Sequence, residues 1–504
     1  MNIKNKWNFL TAQLTQKRRA SGAVLGILGI ALLLAGCWQK PAETQYITDS
    51  QGRALILHGI NSSSSAKEPE TGHMPWITEA DVDQEVTEWG FNFVRLLIFW
   101  DGIEPQKGVY DEAYLDAVAE RVRWYTSRGA YVMLDMHQDI YSNKVGGNGA
   151  PDWATVTNGW EIFAMDFPGM PWWVKNVDPS VIAAFVNFWR YQEYAWLQDH
   201  YIAAWQKVAQ RFKDDPMVIG YDLMNEPHAG DLVRAAKFTF EPTWLASMYR
   251  RLIPALREID QDKWLFFEPQ SLAVNFGMPS KLPVIDDALT GDRTGEKRLV
   301  YAPHFYPFGL HEGIPYNLVD KQQMRDWNSN RVAELNRQKV PLLVGEFGGS
   351  DNTVGFSQYL NDVTAMYDQM GASWAWWAND PGDWGLIDKD GNENPKVNQL
   401  VRAYPRAIAG APESFSYHPE TRIFTLQYRP KVGVTGGTEI FVPKRHYSQG
   451  FAVLTQDPPN KARFEWDAAR QILTYYPQAG DAVHWLAIYP LEDAPAGVTQ
   501  VFAP

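Results

Sequence analysis

From about residue 54 to about residue 405 the chain alternates short, strand-like apolar runs with longer stretches whose apolar positions recur at helical spacing. The short runs fall at residues 54–60, 93–98, 131–136, 218–224, 264–268, 299–304, 342–346 and 373–377. The longer stretches fall at 79–89, 112–127, 180–212, 242–259, 321–338 and 356–370. Gly90, Gly129 and Gly371 follow three of them closely, the expected place for a residue that ends a helix in the left-handed conformation. Residues 281–298 read as loop. Eight strands with intervening helices predict an α/β fold, a closed (β/α)8 TIM barrel over residues 49–408. From about Pro412 the texture changes to short alternating runs at 422–428, 439–442, 462–466, 471–476 and 482–489, separated by Gly, Pro and Asp. These predict a small all-β sandwich over residues 410–504, an accessory domain without chemistry of its own.

The first 36 residues belong to neither pattern. They carry Lys4, Lys6, Lys17, Arg18 and Arg19, no acidic residue, and an apolar run from 23 to 35 that is short for a membrane span. A basic flank, a short apolar stretch and small residues at its end describe a secretory signal. Leu34-Ala35-Gly36-Cys37 resembles the lipobox of bacterial lipoproteins, which implies a signal peptide over residues 1–36, acylation at Cys37 and a linker over 37–48. Several acyl chains suffice for stable attachment to a membrane. Trp38 in place of Asp after the cysteine points to the outer membrane of a bacterial cell envelope.

Composition narrows the class. The 504 residues include 22 Trp and 14% aromatics overall, which excludes disordered and fibrous classes. Cys37 is the single cysteine, so no disulfide can form within the chain. A net charge of −13 argues against nucleic acid as a partner, since phosphate binding needs a basic face. Loss of residues 1–36 would leave the remainder more acidic still.

A barrel gathers its chemistry at the carboxyl ends of its strands. The fourth run ends in Asn225-Glu226-Pro227 and the seventh in Glu346. Two carboxylates facing one pocket are what glycoside hydrolysis needs: one protonates the leaving oxygen, the other attacks the anomeric carbon, and a separation of about 5 Å gives retention. Their mutual repulsion should raise the first proton affinity of the pair. Glu268, ending the fifth run, is a reserve candidate for Glu346, while Asp222 reads as structural. Asp135, His137 and Asp139 share the two-residue strand period and can all face the pocket, where such a set could also ligate a metal.

Gly220-Tyr221-Asp222-Leu223-Met224-Asn225-Glu226-Pro227, Val344-Gly345-Glu346-Phe347-Gly348 and Phe93-Val94-Arg95 resemble glycoside hydrolase family 5. Phe99-Trp100-Asp101-Gly102-Ile103-Glu104-Pro105, Leu134-Asp135-Met136-His137-Gln138-Asp139, Gly147-Asn148-Gly149-Ala150-Pro151 and Ala302-Pro303-His304-Phe305-Tyr306-Pro307 resemble its endoglycoceramidase branch. The resemblance spans roughly residues 50–405 and continues into the β domain. It implies Glu226 as acid/base and Glu346 as nucleophile, with no metal and no cofactor. It further implies that Arg95 holds Glu346 ionised, that Tyr306 donates to it with His304 nearby, and that Asn225 bonds the sugar 2-hydroxyl. By the same resemblance Asp135, His137, Asp139 and Lys67 contact sugar hydroxyls and Trp377 stacks on the sugar.

Trp374 and Trp376 are candidates for core packing. The loop after the third strand carries Phe163, Phe167, Met170, Trp172 and Trp173 with few charges, an apolar lip suited to a lipid tail. The expected activity is therefore a retaining β-glycosidase acting on the glycan–ceramide linkage of glycolipids. A β-glucanase or β-glucosidase of the same family is the alternative within the class, and a non-catalytic glycan-binding surface lipoprotein the alternative outside it.

Overall fold

The computed structural model describes residues 38–163, 172–291, 296–478, 480 and 482–503. Cys37 and the signal segment, Phe167 and Met170 lie outside the described residues, as do the side chains of Trp172 and Trp173. Eight strands form one parallel sheet: β1 His58–Asn61, β2 Phe93–Ile98, β3 Tyr131–Met136, β4 Val218–Asp222, β5 Trp264–Phe267, β6 Leu299–Tyr301, β7 Leu343–Phe347 and β8 Ser373–Trp376. Neighbours in the sheet are neighbours in the chain, and β8 returns to pair with β1, Trp374 opposite His58. The remaining seam, between β6 and β7, is closed by the single bridge of Tyr301 to Leu342. Inward-facing Leu57, Phe93, Met133, Phe266, Val300, Leu343 and Ala375 pack into one buried cluster that fills the barrel floor. The polar site therefore sits on a solid base.

The expected first strand, 54–60, is two strands. Ala54–Leu55 leaves the barrel and pairs antiparallel with β9, Tyr404–Ile408, with Leu55 opposite Ala407. Ile56 and Leu57 between them are fully buried, so the apolar run shows no break where the chain passes from one sheet to the other. The domain boundary shifts accordingly. Strand β9, assigned above to the barrel domain, belongs to a second sheet, and so does Ile47–Thr48 from the expected linker.

That second sheet continues through β12 Thr438–Phe441, β15 Ile472–Tyr476 and β14 Arg463–Asp467. It faces a third, built from β10 Gly410–His418, β11 Ile423–Pro430, β16 His484–Pro490, β13 Phe451–Thr455 and β17 Gln500–Phe502. Phe451 against Trp466, with ring centroids 4.9 Å apart, and Thr455 against the Tyr475 hydroxyl at 3.2 Å join the two faces, so the carboxyl-terminal unit is a sandwich as expected. Strands β10, β13 and β17 escape the alternation signal. β13 is buried at four of its five positions and cannot alternate. Gly90 fits the sandwich onto the barrel: its φ is +71°, and a Cβ there would come within 2.0 Å of the Phe441 ring.

The expected helix at 180–212 is two, Pro179–Trp189 and Tyr191–Phe212, broken at Arg190 with φ −79° and ψ 62°. The loop reading of 281–298 holds for its described residues. Among the described residues, no helix is long and apolar enough to cross a membrane.

Candidate active site

Side chains on or just beyond β1, β3, β4, β5 and β7 converge on Arg95, which is fully buried on β2. Its guanidinium forks in every direction its geometry allows. Nη1 donates to Glu346 Oε1 at 2.9 Å and to Asn61 Oδ1 at 3.1 Å, and Nε donates to Asp222 Oδ2 at 3.0 Å. Nη2 lies 2.7 Å from Asn225 Oδ1, 3.1 Å from Glu268 Oε1 and 3.0 Å from Asp135 Oδ1.

One cation cannot neutralise four buried carboxylates, and the site resolves this with protons. Burial and the charge of Glu268 push Asp222 well above the ordinary aspartate value, and burial raises Glu268 as well. Glu346 goes the other way. Burial would raise it, but His304, Arg95, His137 and Lys67 together outweigh burial and hold it below the ordinary glutamate value. The nucleophile candidate is thus the carboxylate kept ionised, and Tyr306 donates to its Oε2 at 2.9 Å.

Glu226 approaches from β4 by a strained route. Its φ is +44°, a left-handed conformation unusual for glutamate, and its backbone N–H donates to Glu268 Oε2 at 2.9 Å. Glu268 is therefore a support lying under the acid/base candidate, 2% exposed, and does not take the place of Glu346. His304 Nδ1 stands 2.9 Å from Glu226 Oε1 and 3.5 Å from Glu346 Oε2, between the two carboxylates. Burial lowers the His304 pKa, but Glu268, Glu346 and Glu226 overcome it and carry the imidazole well above its usual value, so it stands protonated.

Ligand-capable atoms of Glu226, His304 and Glu346 lie within 4.8 Å of one another. With His304 cationic, and Arg95 and Tyr306 already donating to Glu346, this cluster offers a metal few free lone pairs. Asp-x-His-x-Asp is likewise internally satisfied. His137 Nδ1 bonds Asp135 at 2.7 Å, its Nε2 faces Asp139 at 3.3 Å, and Lys67 Nζ sits 2.7 Å from Asp139. A lysine ammonium occupies the place where a metal would be sought.

Lys67 also lies 4.2 Å from the centroid of Trp377, and the Trp377 indole stacks on His137 at 5.5 Å and 10°. Trp377 is partly exposed, whereas Trp374 and Trp376 are fully buried core residues. The loop that carries Trp377 is pinned through Asn379, whose carbonyl accepts from Trp76 Nε1 at 2.6 Å and whose amide bonds the buried Glu85. Asn225 is held by Arg95 on its oxygen and by the Gln138 carbonyl, 2.9 Å from its Nδ2.

All the predicted pocket residues from Lys67 to Trp377 join one contiguous network. Asn61 and Asn275 belong to it without having been anticipated. Asn61 also donates to the carbonyls of Gly345 at 3.0 Å and Trp376 at 3.2 Å, tying β1 to the residues just before Glu346 and Trp377. A lone Asn at a strand end is the only sequence signal it offers. Asn275 sits in a single 3₁₀ turn, Val274–Phe276, with no periodic pattern at all.

The cellulase profile of glycosyl hydrolase family 5 matches residues 48–383, and the glycoside hydrolase family 5 C-terminal domain profile matches residues 402–488. Endoglycoceramidase I of Rhodococcus hoagii is 33% identical over 436 residues, covering 82% of this chain and 81% of that protein. The endoglycoceramidase of Hydra vulgaris is 27% identical over 460 residues, 81% of each. Among solved structures, endo-glycoceramidase II from Rhodococcus sp. superimposes with a TM-score of 0.80 at 38% identity, covering 88% of this chain and 99% of that one. The same enzyme has been solved as a ganglioside GM3 complex, with a TM-score of 0.81 over 89% of this chain, and as a lactosyl-enzyme intermediate.

Proposed function

Because the chain belongs to glycoside hydrolase family 5 along both its barrel and its carboxyl-terminal domain, we propose that it releases intact glycans from glycosphingolipids by double displacement, with Glu346 as nucleophile and Glu226 as acid/base. The observation that carries this reading is the pair itself. Glu226, beyond β4, and Glu346, on β7, each bring a carboxyl oxygen into one cluster with His304 no more than 4.8 Å across, which supports the close carboxylate pair that a retaining mechanism uses. In the first step Glu346 attacks the anomeric carbon while Glu226 protonates the departing oxygen. In the second, Glu226 takes a proton from the water that releases the sugar. Lys67, Asp139, His137, Asn225 and Trp377 form the polar, stacking side of the pocket that would grip the sugar. The polar groups of this network hold one another in place through hydrogen bonds and ion pairs, and fixed dipoles and charges of this kind are the condition for electrostatic stabilisation of a transition state.

The glycolipid substrate class rests on two further supports. Similar proteins act on ceramide glycosides by name. Apolar side chains also stand exposed on loops at the carboxyl ends of β3, β5 and β6, including Trp160 and Phe163 at 59% and 75%, Met278 and Phe308. The test is product analysis with a lactosylceramide and with a soluble cellulose derivative. Free lactose together with ceramide is expected. Hydrolysis of the cellulose derivative with none of the lipid would overturn the substrate reading.

We also propose that Cys37 carries the acyl anchor, on the strength of Leu34-Ala35-Gly36-Cys37 and the basic, apolar segment before it. The outer membrane is its destination in this reading. Cys37→Ser should move the protein from the membrane to the soluble fraction while activity on soluble aryl glycosides stays within about twofold; a variant still sedimenting with membranes in detergent-free buffer would refute the anchor.

A further inference from the structure

Glu226 has two carboxyl oxygens, and the structure treats them differently. Asn275 Nδ2 donates to Oε1 at 2.6 Å, and His304 Nδ1 donates to the same atom at 2.9 Å. Among the described residues, Oε2 has no hydrogen-bond partner. A carboxylic acid carries its proton on one oxygen and accepts at the other, and an oxygen receiving two N–H donors is held as the acceptor. The proton is thereby left to Oε2.

Asn275 is built for a fixed position. It is 7% exposed, and its carbonyl accepts the backbone N–H of Tyr306 at 3.0 Å. Its own N–H donates to the Ser271 carbonyl at 3.2 Å. The turn begins at Ala273, with φ +69°, and Arg331 donates to the Val274 carbonyl at 3.3 Å. The residue that holds Glu226 is thus joined through one backbone hydrogen bond to the residue that donates to Glu346, which couples the two carboxylates geometrically.

We infer that Asn275 is a positioning residue that, together with His304, selects Oε2 of Glu226 as the proton-carrying oxygen and aims it at the glycosidic oxygen. The inference rests on the acid/base reading of Glu226. In the first step the Oε2–H bond breaks as its proton passes to the leaving oxygen, the C1–O bond to the aglycone breaks, and a Glu346 oxygen bonds C1. In the second step water gives its proton to Oε2, its oxygen bonds C1, and the bond from C1 to Glu346 breaks. Without Asn275 the carboxyl group can turn or place its proton on Oε1, and protonation of a poor leaving group suffers first.

The experiment compares kcat/KM for two β-glycosides of the same sugar, one with an alkyl leaving group that must be protonated and one with a dinitrophenyl leaving group that need not be. Asn275→Ala is expected to lower the alkyl substrate's value by about 10- to 100-fold and the dinitrophenyl substrate's by no more than about threefold, a fraction of the 10² to 10⁴ that a whole general acid supplies. Asn275→Asp, which sets a second carboxyl against Oε1, should widen the difference. The ratio of the two substrates does not depend on how much variant is folded, so a poorly folding variant still answers. Equal losses on both substrates would overturn the inference. Glu226→Gln in the same assay separates the two readings: if it too affects both substrates equally, the acid/base assignment fails, and if it discriminates while Asn275→Ala does not, only the role of Asn275 fails.

Discussion

Glu346→Gln is expected to lower kcat/KM on an aryl β-glycoside by at least about 10⁴-fold, the scale on which an enzyme loses its nucleophile, while the fold survives. The residue is 5% exposed and makes two defined contacts, accepting from Arg95 Nη1 on Oε1 and from the Tyr306 hydroxyl on Oε2. An amide of the same shape must turn its NH₂ toward one of these donors. Arg95 cannot accept a hydrogen bond, whereas a hydroxyl can rotate and accept, so the NH₂ settles toward Tyr306 and the side chain keeps its place. Substrate binding by Lys67, Asp139 and Trp377 should therefore persist with a KM changed by a few-fold. The companion measurement is intact mass after treatment with a 2-fluoro β-glycoside, which should add one sugar to the wild type and none to the variant. An adduct mapping to Glu268 would reverse the assignment of these two carboxylates, the alternative that the position of Glu268 at the end of a barrel strand left open. A variant retaining a tenth of wild-type activity would remove Glu346 from the mechanism.

The site was legible where chemistry and strand register coincide. Glu226 and Glu346 follow or end clear apolar runs, where a carboxylate stands out, although Glu268 at the same kind of place serves as a support. Asp135, His137 and Asp139 were readable by their two-residue spacing, although the strand ends at Met136 and the last two are brought to Asp135 by hydrogen bonds beyond it. Asn61 and Asn275 were not, because each works through atoms on segments far away in the chain, and an amide at a strand end or in a single turn is also what an ordinary loop contains. The fold followed the same division. Interior strands such as Phe93–Ile98 are buried at every position and apolar at all but Arg95. The passage from Leu55 in one sheet to His58 in another was invisible, since Ile56 and Leu57 are buried in the transition itself. The break at Arg190 likewise has no Gly or Pro to mark it and depends on how the two helices pack.

Arg95→Met is expected to cost about 3–5 kcal/mol of stability, the loss found when one partner of a buried ionic cluster is removed and the others remain. Arg95 has no exposure to soften that loss, and its neighbours Asp135, Asp222 and Glu268 are buried nearly as deeply. The pH dependence distinguishes the electrostatic cause from a packing defect. Asp222 and Glu268 already have raised values, so their contribution to stability is complete below the ordinary carboxylate range and is lost as pH rises through their folded-state values. Without the guanidinium those values rise further, and the variant must either hold more protons or bury more unpaired charge. Its deficit should therefore be smallest near pH 5 and grow toward pH 8, measured as the midpoint of chemical unfolding. Glu346 gives the opposite sign. Its depressed value stabilises the fold above the ordinary glutamate range and is lost as pH falls through the folded-state value, so removing Arg95 shrinks that contribution and moves the acid limb of the rate profile to higher pH. Arg95→Lys should recover part of the stability, because it restores one charge, but little of the activity, because three donors on one nitrogen cannot reproduce five donors spread over the Nε, Nη1 and Nη2 positions that reach Asp222, Glu346 and Asn225. A deficit independent of pH, or full activity in the lysine variant, would show that the guanidinium fills space and does not organise the carboxylates.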